Sequence, residues 1–438
     1  MLGRIGVDSI EALFQDVPAE VRFPPLDLPQ PLSELEAFDR MRRLAAEDRH
    51  VGELSCFVGA GCYNHYVPAA VGAVMSRGEF LTSYTPYQPE MSQGTLQYLF
   101  EFQSLTCDLL GLDVANASVY DGASGTAEAI LMAQRLTRRD RVVLAGDLHP
   151  EYRDTIATYV SGRGVEIVTA AVGRRDGQLA VQPAHELLDE RTACLVVQQP
   201  TFFGRVEDLG RAAERAHAIG ALLIVAVPEA CSLGLLKSPG AWGADIAVAE
   251  GQSLGIPMQF GGPWVGMMAT RQDYVRQLPG RIVGATVDQD GRRGFVLTLQ
   301  AREQHIRREK ATSNICTSQA LLALGVTVYL SLVGPTGLRA AAGLSHRRTR
   351  ELAQRLDELQ DYRILTPGPF FNELVLECPR PADRMRELLL ERGILGGADL
   401  GRHSADLADC LLLCCTELTT PEQIEQLATA LADLGGPR

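Results

Sequence analysis

The chain has 438 residues, too many for one compact core and enough for two domains with an arm. Hydrophobic residues make up 46% and charged residues 22%, an ordinary globular composition that excludes disorder, collagen and coiled coil. The net charge is −13 with no basic run, which excludes nucleic acid and anionic membrane surfaces as partners, because both need clustered Lys and Arg.

The N-terminal stretch MLGRIGVDSIEALF has no apolar core of signal-peptide length. No apolar stretch is expected to reach the roughly 18 residues of a membrane span. A cytoplasmic, non-membrane protein is the expectation. Asp8 or Ser9 caps a short predicted helix, and a proline-rich linker follows, which is neither continuous helix nor central strand. Ser33 and Glu36 form a capping-box pattern ahead of EAFDRMRRLAAED. Residues 61 to 92 are rich in Gly, Pro and Tyr, and the segment FLTSYTPYQPEMSQG has no helical or strand period, so it reads as an ordered loop. Residues 1–92 together are assigned to an N-terminal arm and loop segment.

From residue 93 the pattern changes. LQYLFEFQSLTCDLLGL is an amphipathic helix. RVVLAG, TACLVVQQP, ALLIVAV and ADIAVAE are short apolar runs separated by helix-like stretches, and GPWVGMMAT continues them. Strands alternating with helices imply an α/β fold with a mostly parallel sheet covered on both faces. This large domain is placed at 93–335. A smaller α+β domain at 336–438 has NELVLEC and CLLLCCTE as strands, and RMRELLLERG and PEQIEQLATALADL as helices.

Several positions carry possible chemistry. DGASGTAEA is a Gly-rich turn running into a helix, where free N–H groups and the positive helix end make a phosphate cradle with Ser124, Gly125 and Thr126. A turn with an ordinary Ser/Thr helix cap has the same look. His149 follows a strand and is positioned to stack on a planar cofactor, although a surface histidine beside proline is equally common. Glu229, just past another strand, is placed to pair with a protonated ring nitrogen, with an acidic loop residue as the alternative. Only two of the 41 basic residues are lysines, Lys237 and Lys310, so any amine chemistry must use one of them. The ten cysteines form no CxxC pair, and no metal site is predicted.

Long stretches of unusual composition then match one family. FLTSYTPYQPEMSQGTLQ, VYDGASGTAEA, LHPEYR, AEGQSLGIPMQFGGP and REKATSNICTSQALLA resemble the glycine-cleavage P-protein family, and within it the subunit-1 half of its two-chain form. The resemblance covers nearly the whole chain. It implies the aminotransferase-like fold type I of pyridoxal-phosphate enzymes, with glycine decarboxylated and the aminomethyl group passed to the lipoyl arm of H-protein. It also implies that subunit 2 carries the cofactor on a His-Lys motif, in an assembly of two copies of each chain. The catalytic half has its lysine five residues before a proline. Counting back from Pro257 puts Gln252 in that slot, and an amide nitrogen is no nucleophile. On this resemblance no catalytic residue is expected in this chain. Ser124, Gly125, Thr126, His149 and Glu229 become vestigial cofactor positions, and Tyr84, Tyr87, Gln88 and Glu90 the candidates for reaching the partner's active site. An independent enzyme using Lys237 or Lys310 and a stand-alone scaffold or regulatory pseudoenzyme are the rival readings.

Overall fold

The computed structural model describes residues 1–175, 178–315 and 317–436. The chain divides into two compact units, Met1–His50 and Val51–Arg438.

The first unit has no buried residue. Ser9 Oγ accepts from Ala12 N at 3.2 Å beside the short helical turn Glu11–Phe14, whose N-cap is Ile10. Helix α1 (Glu34–Ala45) begins at the expected capping box: Ser33 accepts from Glu36 N, and the Glu36 carboxylate accepts from Ser33 N at 2.9 Å. Leu35, Phe38 and Met41 recur at helical spacing along it and are 71%, 62% and 63% exposed.

The second unit is built on a seven-stranded sheet. After α2 (Ala69–Met75) and α3 (Gln93–Leu110) come β1 (Val114–Ala115), α4 (Gly122–Thr137), β2 (Arg141–Leu144), α5 (Pro150–Val160) and β3 (Glu166–Thr169). Then follow β4 (Thr192–Gln198), α6 (Leu209–Ala218), β5 (Leu222–Val227), β6 (Ile246–Glu250) and β7 (Gly266–Thr270). The strand order is β1-β7-β6-β5-β4-β2-β3. Strands β2 to β6 are parallel, and β7 runs antiparallel to both its neighbours. The apolar runs bury both faces because alternate residues face opposite ways. Val143, Leu195, Val225 and Ala247 pack with Leu99 and Phe102 of α3. Val142, Val196, Ile224 and Val248 pack with Ile130 and Met132 of α4.

Helix α7 (Ala320–Asp357) then leads to a four-stranded antiparallel sheet of β8 (Arg363–Ile364), β9 (Glu373–Glu377), β10 (Ala398–Asp399) and β11 (Cys410–Cys414). Helices α8 (Ala382–Leu390) and α9 (Pro421–Leu434) cover one face through Leu374, Leu376, Leu411 and Leu413.

Two expectations are corrected. The stretch before Gln93 is not wholly loop, because Ala69–Met75 and Gly78–Leu81 are helical. Small residues such as Ala, Val and Gly in AAVGAVM leave too weak a period to read. The expectation that no apolar stretch reaches membrane length also fails. Residues 320–338 carry no charge, and α7 has an 18-residue window of mean hydropathy 1.7. Half of that window is buried in the protein, and Leu322, Val326 and Tyr329 sit in the main core. The helix is broken at Gly334, whose φ is 57°, just before Pro335.

Candidate functional site

Ligands in open parallel sheets gather beyond the carboxyl ends of the strands. Here β5 delivers Glu229, β6 delivers Glu250 and Gln252, the turn after β2 delivers His149, and α4 presents its N-terminus. The structure brings these groups together around one segment of the chain, residues 60 to 66. Every predicted cofactor position that reaches it is already bonded to the protein itself.

Gln252 is 2% exposed and makes a complete set of hydrogen bonds. Its Oε1 accepts from Tyr63 N at 2.9 Å, and its Nε2 donates to Tyr63 O and to Ile256 O, both at 3.0 Å. The amide thus pairs with the Tyr63 backbone as a neighbouring β-strand would. A lysine has no acceptor to offer Tyr63 N–H.

Glu229 is 1% exposed, and its Oε1 accepts from Cys231 N at 2.9 Å. Its Oε2 lies 3.2 Å from His65 Nε2, and His65 Nδ1 lies 2.6 Å from Glu417 Oε2. Burial alone would lower the imidazole pKa, but Glu229 and Glu417 outweigh it and raise it to about 10. His65 is therefore an imidazolium clamped between two carboxylates at neutral pH. The carboxylate expected to hold a cofactor ring nitrogen holds an internal ring nitrogen instead. His65, Glu229 and Cys231 offer ligand atoms within 4.8 Å of one another, a spacing that suits a cation, but the carboxylate is already neutralised by His65.

Beside them Tyr63 Oη donates to Glu373 Oε2 at 3.0 Å, and Glu373 Oε1 accepts from Ala60 N at 2.6 Å. Burial pushes the Glu373 carboxyl up to about 8, against the pull of those two hydrogen bonds. Thr416 Oγ1 donates to Asn64 O at 2.7 Å, and Tyr66 N donates to Glu417 Oε1 at 2.8 Å. The segment is tied at almost every residue.

The start of α4 is equally engaged. Ser124 and Asp121 form a capping box, with Ser124 N donating to Asp121 Oδ1 at 2.7 Å. Gly125 N bonds to Asp121 O, and Thr126 Oγ1 donates to Gly122 O at 2.7 Å. Gly122 N donates to Glu250 Oε2 at 2.8 Å, while Glu250 Oε1 accepts from Val265 N and Gln252 N at 3.1 and 3.2 Å. The positive helix end that would hold a phosphate is engaged by the Glu250 carboxyl from β6. Burial pushes Glu250 up to about 8, opposed by these backbone donors and reinforced by Asp121.

His149 caps α5. Its Nδ1 accepts from Glu151 N at 3.2 Å, so the proton is assigned to Nε2, which reaches Ala60 O at 2.9 Å. The ring meets Phe202 edge-on, centroids 4.9 Å apart. Gly61, at φ 94°, brings its backbone so close that a Cβ there would lie 2.7 Å from His149 Nε2. A cavity of about 320 Å³ remains between Gly61, Cys62, Asp121, His149, Glu250 and Trp264. Glu151 also lines it, so a phosphate entering it would face the carboxylates of Asp121 and Glu151.

Tyr84, Tyr87, Gln88 and Glu90 lie elsewhere. All four are exposed, the tyrosines at 68% and 73%. Among the described residues no hydrogen bond joins them to the cluster above. Their backbone is nonetheless fixed. Pro86 is buried, Arg281 donates to Thr85 Oγ1, and Gln93 bonds both Pro89 O at 2.7 Å and the Phe295 backbone at 2.9 Å. The two rings stand 6.2 Å apart on this anchored loop. Lys310 is exposed, and Lys237 is exposed with its Nζ 4.0 Å over the Trp242 ring. Neither lysine is in the buried cluster.

The family model for the glycine cleavage system P-protein matches residues 1–431. The chain belongs to the P-protein family. It is 52% identical to the probable glycine dehydrogenase (decarboxylating) subunit 1 of Thermomicrobium roseum, over 99% of this chain and 96% of that one. The protein of the same description from Desulforamulus reducens is 51% identical over 98% and 96%. A crystal structure of glycine decarboxylase (P-protein) in inhibitor-bound form superposes with a TM-score of 0.92 at 46% identity, covering 99% of this chain and 97% of that chain. A glutamate decarboxylase from Lactobacillus brevis shares the fold at a TM-score of 0.69 and 16% identity, over 94% and 95% of the two chains. The architecture of this P-protein chain is thus fold type I of the pyridoxal-phosphate-dependent enzymes, as the sequence implied.

The residues present do not fit that cofactor. Its aldehyde has no amine at position 252, its phosphate meets Glu250 at the helix N-terminus, and its ring nitrogen finds Glu229 paired with His65. The residues that close the site carry no motif in the sequence. Glu250 stands two positions before Gln252, and that spacing is its one local signal. Tyr63 and His65 meet Glu373 and Glu417 from more than 300 residues away, which no local pattern signals.

Proposed function

We propose that this chain is the non-catalytic subunit 1 of a two-chain glycine decarboxylase of the glycine cleavage system. The observation that carries the reading is Gln252, buried in the lysine slot and bonded on both sides to the Tyr63 backbone. A chain of this fold without an amine there leaves the covalent chemistry to another chain. Subunit 2 supplies the lysine and the pyridoxal phosphate. Together the two chains decarboxylate glycine and pass the aminomethyl group to lipoyl H-protein. The assembly holds two copies of each chain, in the cytoplasm, without nucleic acid or membrane.

Two surface features support a partner role. Exposed tyrosines on a fixed backbone, as at Tyr84 and Tyr87, lose little entropy on binding and act as anchors, with Gln88 and Glu90 supplying polar contacts beside the partner's site. The apolar stripe of Leu35, Phe38 and Met41 is uncovered within its own unit, as expected for a surface that a second chain buries.

The test is the glycine–bicarbonate exchange reaction. The purified chain alone should show none, and adding subunit 2 should restore it. Robust exchange by the single chain would overturn the proposal.

A further inference from the structure

A second cavity lies away from the filled cofactor position. It has a volume of about 400 Å³, between α4, the end of α5 and the segment that precedes α7. Its floor is Glu128, on the second turn of α4 and only 1% exposed. Glu128 Oε1 accepts from Ser313 Oγ at 2.8 Å. Its Oε2 is buried and has no hydrogen-bond partner among the described residues. A buried carboxylate oxygen without a donor costs free energy that a bound donor would return. Burial pushes this carboxyl up, with Ser313, Arg135 and Arg163 pulling the other way. Arg135 is not available to a ligand, since it donates to the Gln277 side chain and backbone at 3.2 Å.

The rest of the wall sets the complementary charge. Arg163 and Arg308 line the cavity, and among the described residues neither makes an ion pair within 4 Å. Glu309 balances one of them, so the lining carries two carboxylates and two guanidiniums. Tyr159 and Asn314 add polar groups. A bare cation would be repelled by the two arginines, and a bare phosphate by the two glutamates. A zwitterion satisfies both.

We infer that this cavity binds a free α-amino acid with a polar side chain, its ammonium directed to Glu128 and its carboxylate to Arg163 and Arg308. The volume exceeds what glycine fills, and the polar walls suit a hydroxyl or amide side chain. The site uses none of the residues of the filled cofactor position, so it stands independently of the glycine decarboxylase reading.

Titration calorimetry of the full chain, without pyridoxal phosphate, tests the inference. L-Serine and L-glutamine are the ligands; L-serinamide, which lacks the carboxylate, and L-lactate, which lacks the ammonium, are the controls. Saturable binding of either amino acid and not of the controls is expected. Glu128→Gln keeps the acceptor for Ser313 and should weaken binding at least about tenfold. Arg163→Gln, at an exposed position, should do the same without touching the core and carries the test if the first variant fails to fold. Absence of saturable binding into the tens of millimolar, equal binding of the controls, or unchanged affinity in Arg163→Gln would overturn the assignment.

Discussion

Replacing Gln252 with methionine removes three buried hydrogen bonds while nearly conserving side-chain volume. The variant leaves Tyr63 N–H and Ile256 C=O without the partners they now have, at 2.9 and 3.0 Å. Tyr63 C=O keeps a second donor, His65 N–H at 3.1 Å. Each lost bond is worth about 1 kcal/mol net, and a stranded buried N–H pushes its own loss toward about 2–3 kcal/mol. The sum is about 3–5 kcal/mol, without a cavity contribution because the shape is retained. For a chain of this size 1 kcal/mol moves the melting temperature by about 1–2 °C, extrapolating the size dependence of the melting entropy. Differential scanning calorimetry of the full chain should therefore show a drop of about 3–10 °C. Gln252→Glu keeps an acceptor for Tyr63 N–H but loses both donors, and should fall at least as far because it adds a buried charge. A melting temperature within about 1 °C of the parent in Gln252→Met would refute the claim that this amide holds the segment in place.

Stability should fall as pH rises from about 6 to about 9. Glu250 and Glu373 hold their protons up to about 8 in the folded chain against an ordinary 4.5, and His65 up to about 10 against 6.5. The folded chain thus binds more protons than the unfolded chain across that window; the His65 contribution is full below its unfolded value and is lost as pH passes through its folded one. Melting temperatures against pH check the sign, Glu373→Gln should flatten the slope, and a rising curve would contradict the assignment. Gln252→Lys should not recover cofactor binding: borohydride reduction with pyridoxal phosphate should leave position 252 unlabelled, because Glu250 and His65 still occupy the phosphate and ring-nitrogen positions. Stoichiometric label there would show that the amide alone blocks the site. Tyr84→Ala and Tyr87→Ala should each lower exchange activity of the two-chain enzyme on the order of tenfold, as expected for truncating an interface anchor, with the melting temperature of the single chain unmoved. Unchanged exchange in both would remove the loop from the partner's site.

How far the sequence carries depends on the range of the interaction being read. The strands RVVL, TACLVVQ, LLIVAV and IAVAE were legible because each is a continuous apolar run, and a run buried on both faces needs no partner to be recognised. The capping box at Ser33 was legible because both members lie within one turn, whereas the box at the start of α4 uses Asp121 as its cap rather than the Ser or Thr expected there. The lack of an amine at position 252 was legible because the residue is read directly, while the slot itself came from the family resemblance, counted back from Pro257. The fate of the slot was not legible. Gly125, Thr126, His149 and Glu229 look the same in sequence whether they await a cofactor or have been captured. What separates the two states is a short segment around Tyr63 and His65 and its acceptors Glu373 and Glu417, brought in from the far end of the chain by the C-terminal sheet. The same argument explains Glu250. A carboxylate at the end of a strand reads as an ordinary strand terminus until the structure shows that Gly122 N–H donates to it, and that one bond converts a phosphate cradle into a closed helix cap. The absence of an amine at 252 is thus accompanied by hydrogen bonds that engage Gln252, Glu229 and the start of α4 within the chain itself. Its acidic groups and its own backbone occupy the positions that cofactor recognition would need, so reversal takes more than the single residue at 252.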